Sequence, residues 1–188
     1  MKKNKLLGVL LILTCLGCRN DIKDNFESML SSSFHLPYEQ FVRLSNDSSI
    51  IVDSALLDNK YQYYMVNYYD SSECAPCIMP SIIKWNKYLH YEKDGRIKFI
   101  FLFSSRNDMY SKHEIYKAYK CINWNHDIYV DTCDAFKDKT KIPDNGFFHT
   151  FMIDNTGNVV FVGNPIENQH FDSLFHNMAD KQPTMKES

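Results

Sequence analysis

The chain has 188 residues, enough for one ordinary domain and too few for two comfortable ones. Hydrophobic residues make up 44% and charged residues 23%, with 12 Tyr, 13 Phe and 2 Trp, a globular composition that argues against long disorder, collagen and coiled coil. A formal charge of −2 argues against nucleic-acid phosphate contacts, and six cysteines are too few for a disulfide scaffold but enough for redox or metal chemistry.

Residues 1–18 read MKKNKLLGVLLILTCLGC. Lys2, Lys3 and Lys5 precede an apolar run of 11 residues, Leu6 to Leu16. Such a run is too short for a permanent bilayer span and suits a signal-peptide core. It ends at Gly17-Cys18, which resembles a bacterial lipobox, with Cys15 where an aliphatic residue is usual. That resemblance implies a lipoprotein signal peptide over 1–17 and a lipidated Cys18; the other reading is a plain secretory signal cut nearby. Loss of 1–17 removes three lysines and no acids, taking the formal charge to −5. An acidic surface has no electrostatic reason to seek anionic lipid, so the acyl chain would be the membrane anchor. Residues 18–33 are polar, end in three serines and read as a tether, leaving 34–188 for the domain.

Within the domain, 49–52 (SIIV) and 61–69 (YQYYMVNYY) read as strands separated by a polar turn at 57–60. Ile78, Ile82, Trp85 and Leu89 recur at helical spacing and predict a helix over 75–91. IKFIFLF at 97–103 is nearly continuous in apolar residues, the pattern of a strand buried on both faces of a parallel sheet. Ser111 and Glu114 form a capping-box pattern that would open a helix carrying Ile115, Ala118, Tyr119 and Ile122. A short strand at Ile128–Val130 follows, then a loop. Phe147–Ile153 and Val159–Val162 flank a hairpin turn at 154–158, and Phe171, Leu174, Phe175 and Met178 predict a last helix. Alternating βαβ units imply an α/β domain with a mixed central sheet and helices on both faces.

The chemistry concentrates at Cys74-Ala75-Pro76-Cys77, between a predicted strand and a predicted helix. A zinc knuckle needs a second ligand pair, and no second CxxC exists. A redox dithiol needs only this pair at a helix N-terminus, where orphan N–H groups and the helix dipole favour a thiolate. Pro76 falls in the first turn, where its missing N–H costs little.

Here the sequence resembles the thioredoxin-like superfamily, and in particular the secreted or membrane-tethered TlpA-type thiol-disulfide oxidoreductases. Val66-Asn67-Tyr68-Tyr69 followed by Cys74-Ala75-Pro76-Cys77 looks like their V-N-F-W-A-x-W-C-x-P-C segment. Thr150-Phe151-Met152-Ile153-Asp154 with Gly157 and Val159-Val160 is similar to their P-T-T-F-L-I-D-x-x-G-x-V segment. The resemblance covers roughly 49–178 and implies a thioredoxin-like fold, Cys74 as attacking thiol and Cys77 as resolving thiol. It implies protein thiol and disulfide substrates, no metal or organic cofactor, and an electron donor across the membrane for the reducing direction. With the leader, it implies a lipid-anchored location in the cell envelope, periplasmic or outer-membrane facing. This chain departs from the pattern in its longer loop before Cys74 and in Glu73 where Trp is usual. A carboxylate there disfavours the Cys74 thiolate. Phe148 takes the place of the family's cis-proline, so a trans bond and a reshaped loop are expected. Pro143 lies five residues too early to substitute, and Pro80 is closer to the second cysteine than usual.

Glu73, Pro76, Phe148 and His149 are the expected neighbours of the dithiol. His149 reads as a structural residue, or as a general base or metal ligand facing Cys74. With Cys74 and Cys77 it would make a copper or zinc site similar in kind to that of Sco-type copper chaperones, which have a longer cysteine spacing. A binding module with a structural Cys74–Cys77 disulfide is the non-enzymatic alternative. Cys121 and Cys133 are expected to stay unbonded, because a strand of about 13 Å carries them to opposite ends of the sheet. They read as buried small hydrophobes, or Cys133 as a third thiol at the carboxyl edge.

Overall fold

The computed structural model describes residues 21–45, 49–51, 61–106 and 108–180. The segment 1–17 read as a signal peptide, Cys18 and the turn expected at 57–60 lie outside the described residues. A seven-stranded sheet forms the centre. In chain order its strands are β1 (Phe41–Leu44), β2 (Ser49–Ile51), β3 (Tyr63–Tyr69), β4 (Ile97–Ser104), β5 (Ile128–Asp131), β6 (Thr150–Asp154) and β7 (Val159–Val162). Their spatial order is β2-β1-β5-β4-β3-β6-β7. β3, β4 and β5 run parallel, and β1, β2, β6 and β7 join through antiparallel pairings. The sheet is therefore mixed, as expected.

β4 is buried along nearly its whole length because both faces are covered. Phe99, Phe101 and Phe103 point into one core, with Met79, Ile82, Trp85, Ile115 and Phe175. Ile100 and Leu102 point into the other, with Phe136, Phe148, Phe151 and Met29. This is the period-2 alternation of a strand read against helices on each side.

The helices are α1 (21–30), α2 (Ala75–Ile82), α3 (His90–Lys93), α4 (Met109–Cys121), α5 (Ala135–Thr140) and α6 (Gln169–Ala179). The helix expected over 75–91 is divided: α2 passes into a 3-10 stretch, Ile83–Lys87, before α3. Pro80 lies inside α2 and offers no N–H to the carbonyl one turn back, which weakens the run from within. Ile82 and Trp85 are still buried and Ile78 and Leu89 pack against the same core, which Tyr88 also enters, so the apolar stripe survives the change of pitch.

Four other expectations are corrected. α4 begins two residues before Ser111, and its cap is Asp108, whose carboxylate accepts from the Ser111 N–H at 3.0 Å and from the Ser111 hydroxyl at 2.7 Å. The loop after β5 contains α5, whose first N–H groups, on Ala135 and Phe136, donate to the buried Asp131 carboxylate. Strand β1, not foreseen, takes β2 away from β3 to the far edge of the sheet. From residue 21 on, the segment read as a tether is a mostly exposed helix and turn that is nonetheless attached to the domain: Met29 is buried in the second core, and Ser33 bridges Asn158 beside β7. Gly157 makes that approach possible, since it has φ 92 and a Cβ there would meet the Phe34 carbonyl oxygen at 2.6 Å. Among the described residues no helix is long and apolar enough to cross a membrane.

Candidate functional site

β3 ends at Tyr69 on the carboxyl edge of the parallel strands, and α2 starts at Ala75. The five residues between them form a closed turn. The Glu73 N–H donates to the Asp70 carbonyl at 2.9 Å, and the Asp70 N–H donates back to Glu73 Oε1 at 3.1 Å. Asp70 Oδ1 accepts the Ser72 N–H at 2.9 Å. Lys137 and Arg106 reach the same carboxylate from the other side of the edge, at 3.2 and 3.6 Å. Burial alone would raise the Asp70 carboxyl; the hydrogen bonds from Ser72 and the Lys137 ammonium outweigh it and hold the pKa at about 2. The longer loop read from the sequence is thus a pinned turn.

Cys74 is the N-cap of α2 in an extended conformation, and its carbonyl accepts from Cys77 and Ile78. Pro76 lies in the first turn, where no N–H is missed. Cys74 and Cys77 are joined in a disulfide, Cα to Cα 5.2 Å, at the positive end of the helix dipole. Both residues are exposed. Cys77 lies three residues along, in the first turn, and is open to solvent like Cys74.

The segment in the cis-proline position is a 3-10 turn, Gly146–His149, and all described peptide bonds are trans. Asn145 caps the turn by accepting the Phe147 N–H. Phe148 is fully buried in the second core, so it stands behind the site and meets no solvent-borne substrate. β6 accordingly starts at Thr150 and not at Phe147. His149 is 6% exposed and lies edge-on to Tyr68. Its Nε2 lies 3.1 Å from the Pro143 carbonyl, and its Nδ1 faces Glu73 Oε1 at 3.9 Å.

His149 is therefore brought to Glu73, the residue beside Cys74. The three-ligand metal site is not assembled: Cys74 and Cys77 are bonded to each other, and among the described residues no group of three or more His, Cys, Asp or Glu side chains could hold a metal ion. Cys121 and Cys133 are free thiols, unbonded as expected, but both are exposed and not buried. Cys133 lies 3.7 Å from Gln40 Oε1 and 3.8 Å from Asp131 Oδ1 at the mouth of α5. The sequence reading missed Tyr69, Phe147, Asn164, Glu167 and Phe171, which with Glu73 and His149 line a cleft of about 570 Å³. They come from three separate stretches of chain, and no local pattern joins them.

No protein-family model matches the sequence, and no curated protein matches it. Solved structures do. One described as a candidate thiol:disulfide interchange protein DsbE from Chlorobium tepidum is 12% identical, with a TM-score of 0.51 over 79% of this chain and 94% of that one. The mitochondrial 2-Cys peroxiredoxin from Plasmodium falciparum is 16% identical, with a TM-score of 0.50 over 83% of this chain and 99% of that one. At such identities the likeness is one of fold. A parallel β3-β4-β5 core, antiparallel β6 and β7, and a cysteine pair opening α2 make this an α/β protein of thioredoxin-like fold.

Proposed function

We propose that this protein exchanges disulfides with protein substrates through Cys74 and Cys77, in the cell envelope outside the cytoplasm, and is anchored to a membrane by lipid on Cys18. The observation that carries the reading is the exposed Cys74–Cys77 pair at the N-terminus of α2, after a turn that Asp70 pins. In the reducing direction the Cys74 thiolate attacks a substrate disulfide. The substrate S–S bond breaks, a Cys74–substrate bond forms, and the leaving sulfur takes a proton. The Cys77 thiol then gives up its proton and attacks the Cys74 sulfur. The second substrate sulfur leaves as a thiol, and the Cys74–Cys77 disulfide holds the oxidising equivalents. Return to the dithiol takes two electrons from a membrane dithiol donor. No metal or organic cofactor takes part.

Trapping tests the roles. Cys77→Ser should accumulate a mixed disulfide with envelope proteins through Cys74, and Cys74→Ser should not. Equal trapping by both variants, or by neither, contradicts the assignment. For the anchor, the full chain should fractionate with membranes and Cys18→Ser should be released. Equal release of both removes the lipid from the reading.

A further inference from the structure

The cleft of about 570 Å³ opens between the dithiol turn, the 146–149 turn and the start of α6. Its walls are aromatic, built from Tyr69, Phe147 and Phe171. Phe147 is 39% exposed, and its ring centroid lies 5.8 Å from that of Phe171. Two carboxylates line the same space, Glu73 and Glu167, and no lysine or arginine does. Their charges converge: after burial, the larger cause, both push the Tyr69 phenol above its ordinary range. Glu167 is exposed, and among the described residues its carboxylate takes no ion pair or hydrogen bond. Glu73 is 40% exposed and accepts only the Asp70 N–H.

His149 adds an independent demand. Its Nε2 meets the Pro143 carbonyl, a contact that needs a ring N–H, so in the neutral ring Nδ1 is a lone pair. Nδ1 has no hydrogen-bond partner and faces the Glu73 carboxylate. With the ring neutral, two acceptors thus confront one another at the cleft wall with no donor between them.

From this arrangement we infer that the cleft takes a lysine or arginine side chain of a polypeptide whose cysteine meets Cys74. The inference rests on the exchange reading and names its substrate class: cysteine-bearing segments with a cation close by. The cation sits between Glu73 and Glu167, and its methylene stem lies along the aromatic walls. A segment with an acid at the same place meets two like charges.

The test separates the cleft from the chemistry. Labelled peptides with serine in place of cysteine cannot exchange, so their fluorescence anisotropy on the oxidised protein reads the cleft alone. One carries lysine two residues from the serine, the other glutamate, both at pH 8. The lysine peptide should bind about tenfold tighter at low salt, the worth of two exposed charge pairs. The ratio should fall to about threefold in Glu167→Gln and toward one in 1 M salt. Equal binding, tighter binding of the glutamate peptide, no binding of either, or a ratio unmoved by Glu167→Gln each overturns the inference. The same two peptides with cysteine restored, as disulfides offered to the reduced protein, should be reduced with the same preference. Discrimination without any exchange would keep the cleft and overturn the exchange reading. Exchange without discrimination would do the reverse.

Discussion

Two carboxylates bracket the helical run 75–93, Glu73 just before its first turn and Glu92 in its last. Glu92 is engaged on every side. It lies 2.7 Å from the Lys98 ammonium and 2.9 Å from His126 Nε2, and it accepts the Phe99 N–H at 3.0 Å. Burial alone would raise its carboxyl, and the hydrogen bond and charge of His126, with Lys98, hold it down to about 2. Glu73 is half in solvent, accepts one backbone N–H and looks at an unpartnered imidazole nitrogen. One residue type thus serves as a fastener at one end and as an open charge beside a reactive pair at the other. The difference is set by the number of donors that the fold delivers to each.

Breaking the fastener should have the largest effect. Glu92→Gln keeps an acceptor for the Phe99 N–H but strands Lys98 and His126, at a cost of about 2–3 kcal/mol in urea unfolding. Exchange at the dithiol should be unchanged, and a coupled loss would break the comparison. The same carboxylate sets an acid limit. Its folded pKa of about 2 lies below its ordinary 4.5, so its contribution is full above about pH 4.5 and is lost as the pH falls toward 2. Urea midpoints across that window should fall steeply in the wild type and less so in Glu92→Gln. Asp70→Asn should cost less, about 1 kcal/mol, since the amide oxygen keeps the Ser72 N–H and only the Lys137 and Arg106 pairs are lost. Glu73→Gln should change stability by less than about 0.5 kcal/mol. It should nevertheless speed alkylation of reduced Cys74 a few-fold near neutral pH, because a charge that opposes the thiolate is gone. Mass mapping should find Cys74 labelled before Cys77. A slower Cys74 in the variant would mean that the carboxylate helps as a base.

Much of this was legible in the sequence. The apolar run 97–103 could be satisfied only by a strand covered on both faces, and it is the centre of the sheet. The stripe Ile78, Ile82, Trp85 and Leu89 was readable because all four pack in or against the first core, whereas the break after Ile82 depends on local hydrogen bonding around Pro80. β1 was missed because FVRL is four residues long with two half-buried between two buried, too short for a period to show. α5 was missed because the carboxylate that accepts its first N–H groups is that of Asp131, at the end of a strand and not at the helix N-cap, Asp134. The dithiol was visible as a local motif. The cleft beside it was not, since Tyr69 and Phe171 are joined only by the fold.

Everything at the site depends on whether the Cys74–Cys77 bond is made to be exchanged or made to hold. Titration of the purified protein against defined thiol–disulfide buffers decides between them. The account predicts a midpoint between about −270 and −120 mV, the range of exchanging dithiols. A midpoint below about −300 mV would make the pair a structural bond and contradict the account.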